Sequence, residues 1–270
     1  MTLDQNTLAR AAERLEEAER TRVACRQFSL DYPDMTIEDA YAIQHAWMQL
    51  KLRNGRTVKG HKIGLTSKAM QRAVNIAEPD YGMLLDDMFH RDGAVIPSAS
   101  FIQLKIEAEL AFVLAKPLAG PDCTLFDVLD ATAYVTPALE ILDARIQRID
   151  PETGRTRNVF DTISDNAANA ALVLGGRPFK PAVIDADMRR IGAIVSRNGE
   201  VEETGLAAGV LNHPGYGVAW LANRLHRFGV ALQPGQVILA GSFIRPIEVA
   251  KGDTVVADYG EFGTVSCHFG

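Results

Sequence analysis

The sequence predicts an α+β protein with helices first and strands later. Three observations lead to that class. Apolar residues recur at three and four spacings through the first quarter of the chain. After Gly55 the texture changes to short β-branched runs punctuated by glycine. Those runs do not alternate with helices, as a doubly wound parallel sheet requires. With 270 residues, 47% of them hydrophobic and 23% charged, the chain is long enough to bury one substantial core without disulfides or other staples.

Leu8, Ala11, Leu15 and Ala18 form a narrow apolar stripe that predicts a helix over 3–28. Thr36-Ile-Glu-Asp39 has the pattern of a capping box and opens a second helix with Ile43, Ala46, Trp47 and Leu50 on one face; Asn54-Gly55 ends it. Strands are expected at 57–65, 102–114, 171–174 and 191–197. Asn198-Gly199 then turns the chain back into 200–203, because a type I′ turn needs two residues that tolerate positive φ. Helices intrude at 124–132, opened by Thr124 and Asp127, and at 217–227, closed by Gly229. Four strands finish the chain, at 237–240, 247–249, 254–258 and 264–269. The helical part is placed at 1–75 and the β-rich part at 76–270.

Composition narrows the function. Lys and Arg number 28 against 34 Asp and Glu, a formal charge of −6, so no overall field draws the protein to nucleic acid or anionic lipid. Three widely spaced cysteines without a CxxC fit neither a disulfide framework nor a thiolate zinc site. Residues 1–20 are charged throughout, which is unlike a signal peptide, and no apolar run is long enough for a membrane span. A cytoplasmic protein is expected, with nucleic acid and membrane as poor partners.

The chemistry concentrates in Lys105-Ile-Glu-Ala-Glu-Leu-Ala-Phe-Val-Leu114. Strand alternation puts Glu107 and Glu109 on one face, and the same face continues into Ala111 and Val113, so the strand reads as buried on both sides. Buried carboxylates call for a cation or strong donors, and of cations Mg²⁺ or Mn²⁺ suits an all-oxygen set. Glu140 is a candidate third ligand in an apolar run, although periodicity alone does not tie it to the pair. Lys62 lies between Gly60 and Gly64, where backbone can approach closely, but from the sequence alone a solvated strand lysine is the better reading. Asp80, in Glu-Pro-Asp-Tyr-Gly, reads as a turn residue. The six histidines show no HxH or HxxxH spacing, and no GxSxG, P-loop or GxGxxG context occurs.

Lys59-Gly-His-Lys-Ile-Gly-Leu-Thr-Ser67, Glu78-Pro-Asp-Tyr-Gly82, Ile106-Glu-Ala-Glu-Leu110, Pro137-Ala-Leu-Glu140 and Phe160-Asp-Thr-Ile-Ser-Asp-Asn166 together resemble the hydratase and decarboxylase branch of the fumarylacetoacetate hydrolase superfamily. The resemblance spans nearly the whole chain. It implies a rolled, mixed β-sheet catalytic domain, a homo-oligomer, and Mg²⁺, with Mn²⁺ as the alternative, held by Glu107, Glu109 and Glu140. It gives Lys62 and Asp80 acid–base roles, places Ser242 against the substrate carboxylate and Asp161 near the metal. The implied reaction is addition of water to a 2-oxo- or 2-hydroxydienoate of aromatic meta-cleavage catabolism, with a seven-carbon diacid foremost. Decarboxylation of a 4-oxalocrotonate-type acid is the rival, and a non-catalytic supporting subunit a further one. Arg157, Arg177 and Lys68 are candidate holders of a distal carboxylate. One departure stands out: Asn158 occupies a position that is lysine in many of these proteins.

Overall fold

A computed structural model describes residues 3–73, 76–184 and 186–270. Helix α1 (Gln5–Thr21) starts at Asp4, whose carboxylate accepts from Thr7 N at 2.7 Å. It stops well short of residue 28. Arg22 takes a left-handed φ of 61°, and Cys25 forms a parallel bridge with Ile146, its N–H donating to Arg145 O at 2.9 Å. Backbone pairing with a distant segment thus ends the apolar stripe where no local stop signal exists. After α2 (Phe28–Asp31) comes α3 (Ile37–Arg53), opened by the expected capping box of Thr36 and Asp39. Trp47 of α3 is buried and donates through its indole N–H to Glu16 of α1 at 2.9 Å, which holds the two long helices together.

The remaining elements are β1 (Val58–Gly64), α4 (Lys68–Ala73), β2 (Asp80–Leu85), β3 (Phe89–Arg91), β4 (Ala94–Ile96), β5 (Lys105–Leu114), α5 (Leu125–Ala131), β6 (Thr132–Leu142), α6 (Val159–Ser164) and β7 (Asn169–Leu174). They are followed by β8 (Gly192–Arg197), β9 (Glu200–Leu206), α7 (Pro214–His226), β10 (Val237–Leu239), β11 (Ile247–Glu248), β12 (Thr254–Asp258) and β13 (Thr264–Phe269). Eight strands form a mixed sheet in the order β2-β1-β10-β5-β6-β7-β3, with β11 also paired to β5; five form a second sheet, β4-β13-β12-β8-β9. The short run from β3 to β4 passes from one sheet to the other. Asn198 and Gly199 turn β8 into β9 at φ 55° and 87°, as their sequence requires.

Residue 75 lies outside the described residues, and β1, assigned to the helical part, sits inside the larger sheet, parallel to β10 and antiparallel to β2. The α+β class and the mixed sheets hold.

Alternation along β1 sends Lys62 to one face and His61 and Ile63 to the other. His61 is 4% exposed and its Nδ1 has no partner. Burial drives its pKa down to about 4, against a smaller opposing pull from the Gly82 backbone. Between the ordinary value near 6.5 and 4, the unfolded chain therefore takes up a proton that the folded one refuses, so stability falls as pH falls through that window. Denaturant unfolding is expected to lose up to ~3 kcal/mol across it, and His61→Gln to flatten the loss. An unchanged pH profile in the variant refutes the assignment.

Candidate metal centre and active site

Three carboxylates meet where β5 and β6 pair. Glu107 and Glu109 project from one face of β5, and Glu140 stands directly across from Glu107 in the register. Each offers an oxygen, and these oxygens lie within 4.8 Å of one another; among the described residues this is the one group of three metal-ligating side chains so placed. Glu109 and Glu140 are 1% and 0% exposed. Glu109 Oε2 accepts from Gly241 N at 2.8 Å, and Glu140 Oε1 accepts from Asn169 Nδ2 at 2.9 Å. Their other oxygens, Glu109 Oε1 and Glu140 Oε2, are buried without a protein partner. Two unpartnered carboxylate oxygens in an acidic, sulfur-free and imidazole-free cluster are a fit for a hard divalent cation. Electrostatics agree: burial, then repulsion from Glu140, pushes Glu107 up to about 8 and Glu109 well above the carboxylate range. Tyr259 braces the pair from the second sheet, its hydroxyl 3.0 Å from Glu109 O and 2.7 Å from Ala138 O.

Lys62 reaches the same cluster from β1. Its Nζ donates to Ala167 O at 3.0 Å and lies 3.3 Å from Glu140 Oε1, in a site only 3% exposed. Burial pulls its pKa down, but Glu140, Asp80, Glu107 and Glu109 outweigh burial, and the ammonium stays charged. Asp80 is not a turn residue. It opens β2 opposite Gly64, is 2% exposed and keeps Oδ1 without a partner. Burial raises its pKa and Lys62 opposes the rise. A methyl group on Gly64 would collide with Asp80 Oδ1 and stand 3.3 Å from Lys62 Nζ, so Gly64 leaves the space these two groups share. Gly64→Ala is therefore expected to lower kcat by about 100-fold through displacement of Asp80, with the thermal midpoint and metal affinity little changed. Retained kcat refutes that role.

Opposite Lys62, Asn166, Ala167 and Ala168 form a turn at φ 52°, 53° and 58°. Left-handed backbone costs ~1–2 kcal/mol per L-residue, so three in succession need outside support. Arg145, 1% exposed, provides it at the base. Its guanidinium binds Asp165 Oδ1 at 2.5 Å, and its Nη2 donates to the carbonyls of Asp165 and Asn169 at 2.9 and 2.8 Å.

Other expected residues fall in different places. Ser242 follows Gly241 and so lies beside Glu109, but its hydroxyl donates to Ile244 O at 2.9 Å and accepts from Ile244 N. The structure puts Asp161 to a different use than metal-side polarity. Its carboxylate accepts from Asn158 N at 3.1 Å, Ser29 N at 2.9 Å and Ser29 Oγ at 2.6 Å, which joins α6 to α2. Asn158 is the N-cap of α6, its side chain accepting from Phe160 N and Asp161 N, so the position that is lysine elsewhere serves helix capping. Arg157 keeps a buried Nη1 4.0 Å from Asp165 Oδ2, whereas Lys68 and Arg177 are exposed. Asn166, Asn169 and the Gly241 amide were not singled out from sequence. Single asparagines, in a turn like Asn166 or at the start of β7 like Asn169, and backbone amides carry no periodic signal.

The Fumarylacetoacetate (FAA) hydrolase C-terminal family matches residues 52–269. The chain belongs to the fumarylacetoacetate hydrolase family. It is 62% identical over 266 residues to the 2-oxo-hept-4-ene-1,7-dioate hydratase of Escherichia coli, covering 98% of this chain and 99% of that one. The 2-hydroxyhexa-2,4-dienoate hydratase of Comamonas testosteroni is 37% identical, with 98% of each chain covered. Among solved structures, the 4-oxalocrotonate decarboxylase from Pseudomonas putida G7, complexed with magnesium and adipate, superposes with a TM-score of 0.93 at 35% identity, over 99% of both chains. The same decarboxylase is also known complexed with calcium and acetate. Relatives in this family thus hold divalent cations. No helix among the described residues is long and apolar enough to cross a membrane.

Proposed function

We propose that this family member is a hydratase that adds water to 2-oxohept-4-ene-1,7-dioate, in its 2-oxo or 2-hydroxydienoate form, to give 4-hydroxy-2-oxoheptanedioate in aromatic meta-cleavage catabolism. The observation that carries the reading is the pair of unpartnered oxygens on Glu109 and Glu140 beside Lys62 and Asp80, in a chain 62% identical to a hydratase of that name. Glu107, Glu109 and Glu140 would hold Mg²⁺, with Mn²⁺ as the alternative. When bound, such a cation supplies Lewis-acid stabilisation of negative charge on the substrate's 2-oxygen.

The chain's own groups handle protons. Lys62, held charged among acids, donates, and the free Oδ1 of Asp80 accepts. One proton leaves C3 and one arrives at C5, which brings the double bond into conjugation with the 2-oxo group. Water then adds its hydroxyl to C4 and its hydrogen to C3. Asp80 and Lys62 both border the volume over Gly64, so one small space serves both transfers. The loop that carries Ser242 flanks the Glu109 side, where the substrate's C1 carboxylate would lie.

A second reading is favoured by the decarboxylase superposition at TM-score 0.93: loss of carbon dioxide from a 4-oxalocrotonate-type acid in the same site. Purified protein should remove the ultraviolet absorbance of the seven-carbon dienoate, stop when a chelator is added and recover with Mg²⁺. Product mass decides between the readings, each offered its own substrate: gain of water on the seven-carbon dienoate, or loss of carbon dioxide from a 4-oxalocrotonate-type acid. Turnover that survives exhaustive chelation sinks the metal-dependent reading, and carbon dioxide loss alone sinks the hydratase.

A further inference from the structure

We infer that the left-handed turn Asn166-Ala167-Ala168 is the device that sets Lys62 in place, and that Asn166 is its positioning residue. The inference rests on the acid–base role of Lys62 given above. Among the described residues, Lys62 Nζ donates to the carbonyl of Ala167 at 3.0 Å and lies 3.3 Å from the carboxylate of Glu140. A carbonyl aimed at an ammonium fixes where its proton points, and Ala167 can aim its carbonyl this way because residues 166–168 all have positive φ.

Asn166 anchors the turn. It is 0% exposed, and its side chain pairs with the backbone of β2 as a neighbouring strand would: Oδ1 accepts from Met83 N at 2.7 Å and Nδ2 donates to Met83 O at 2.9 Å. β2 is also the strand that presents Asp80, and it lies beside β1, which presents Lys62. One amide therefore locks the carbonyl that orients the lysine to the strand that carries its partner acid. The contact is tight enough to exclude any side chain at Gly82, where an added Cβ would stand 2.5 Å from Asn166 O. Three residues after Asn166, Asn169 holds Glu140, so the same segment reaches both groups around the ammonium. Asn166 itself contacts neither Glu140 nor Lys62 by hydrogen bond: its side-chain bonds both go to Met83.

A double-mutant cycle tests this. Asn166→Gly keeps a residue that accepts positive φ and removes the clamp. Alone it is expected to lower kcat by about 10- to 100-fold with KM within about threefold, in protein that retains its circular dichroism spectrum. In a Lys62→Ala background the same substitution is expected to change the residual rate by less than about twofold, because the group it positions is gone. A residue that merely supports the fold would lower both rates by the same factor, and that additive result overturns the proposal. Gly82→Ala presses on Asn166 from the other side and is read in the same cycle; it decides the matter if Asn166→Gly does not fold. If Lys62→Ala turns over like the unaltered protein, the acid–base reading of Lys62 falls and this inference falls with it. Additivity overturns the positioning role alone.

Discussion

Glu140→Gln should abolish metal binding and turnover together. Glutamine keeps the shape of the side chain but removes the charge at a position that is 0% exposed and has one oxygen without a protein partner. Its amide also faces donors, Asn169 Nδ2 at 2.9 Å and Lys62 Nζ at 3.3 Å, so one orientation sets donor against donor. Loss of a supporting residue around a metal weakens affinity by ~10- to 100-fold, and loss of a direct ligand should exceed that. Calorimetric titration with Mn²⁺ measures it directly. Stability gives a second readout: a cation at 100 times its Kd adds ~2.7 kcal/mol to the unaltered protein, an increment the variant should lack. Without metal, relief of repulsion among the three acids opposes the lost ion pair with Lys62, so the metal-free variant should differ little in stability from the unaltered protein. An unchanged Mn²⁺ titration removes Glu140 from the coordination set.

Lys62→Ala is expected to lower kcat by ~10²- to 10⁴-fold, the range for a positioned acid or base, while metal-loaded protein stays folded. The lysine also balances charge. It is the sole buried cation that the structure sets among Glu107, Glu109, Glu140 and Asp80, counting the described residues. Its removal leaves buried acids uncompensated, so the chelated variant should melt well below the chelated parent. The two states separate its roles: melting without metal reports charge balance, and kcat with metal reports proton transfer. Turnover equal to the parent's in saturating Mg²⁺ defeats the assignment.

Local chemistry was legible wherever a short pattern sufficed. Thr36 with Asp39, Thr124 with Asp127, and Asn198-Gly199 all do what their spacing requires. The paired glutamates of β5 were readable because alternation alone puts them on one face, and the run beyond them stays buried. Glu140 needed the cross-strand register with Glu107, which no local pattern encodes. The first helix was overextended because its end is dictated by Cys25 pairing with Ile146, far along the chain. Asp80 was obscured by its Pro-Asp-Tyr-Gly setting; its burial depends on pairing between β2 and β1. The cap formed by Asn158 and Asp161 was visible as an Asn-x-x-Asp spacing, but the resemblance gave Asp161 a place near the metal and marked Asn158 only as a departure from lysine.

Glu109 is gripped by the amide of Gly241, 132 positions further along the chain. A polypeptide emerging from the ribosome therefore has all three acids in hand long before it owns the amide that holds one of them. Strand β10, just ahead of that amide, must first slot between β1 and β5, a late event because it joins segments so distant in order. An ion held by these acids would then be expected to bind a finished protein instead of guiding its construction, and fragments ending before Gly241 should show little gain in order when magnesium is supplied.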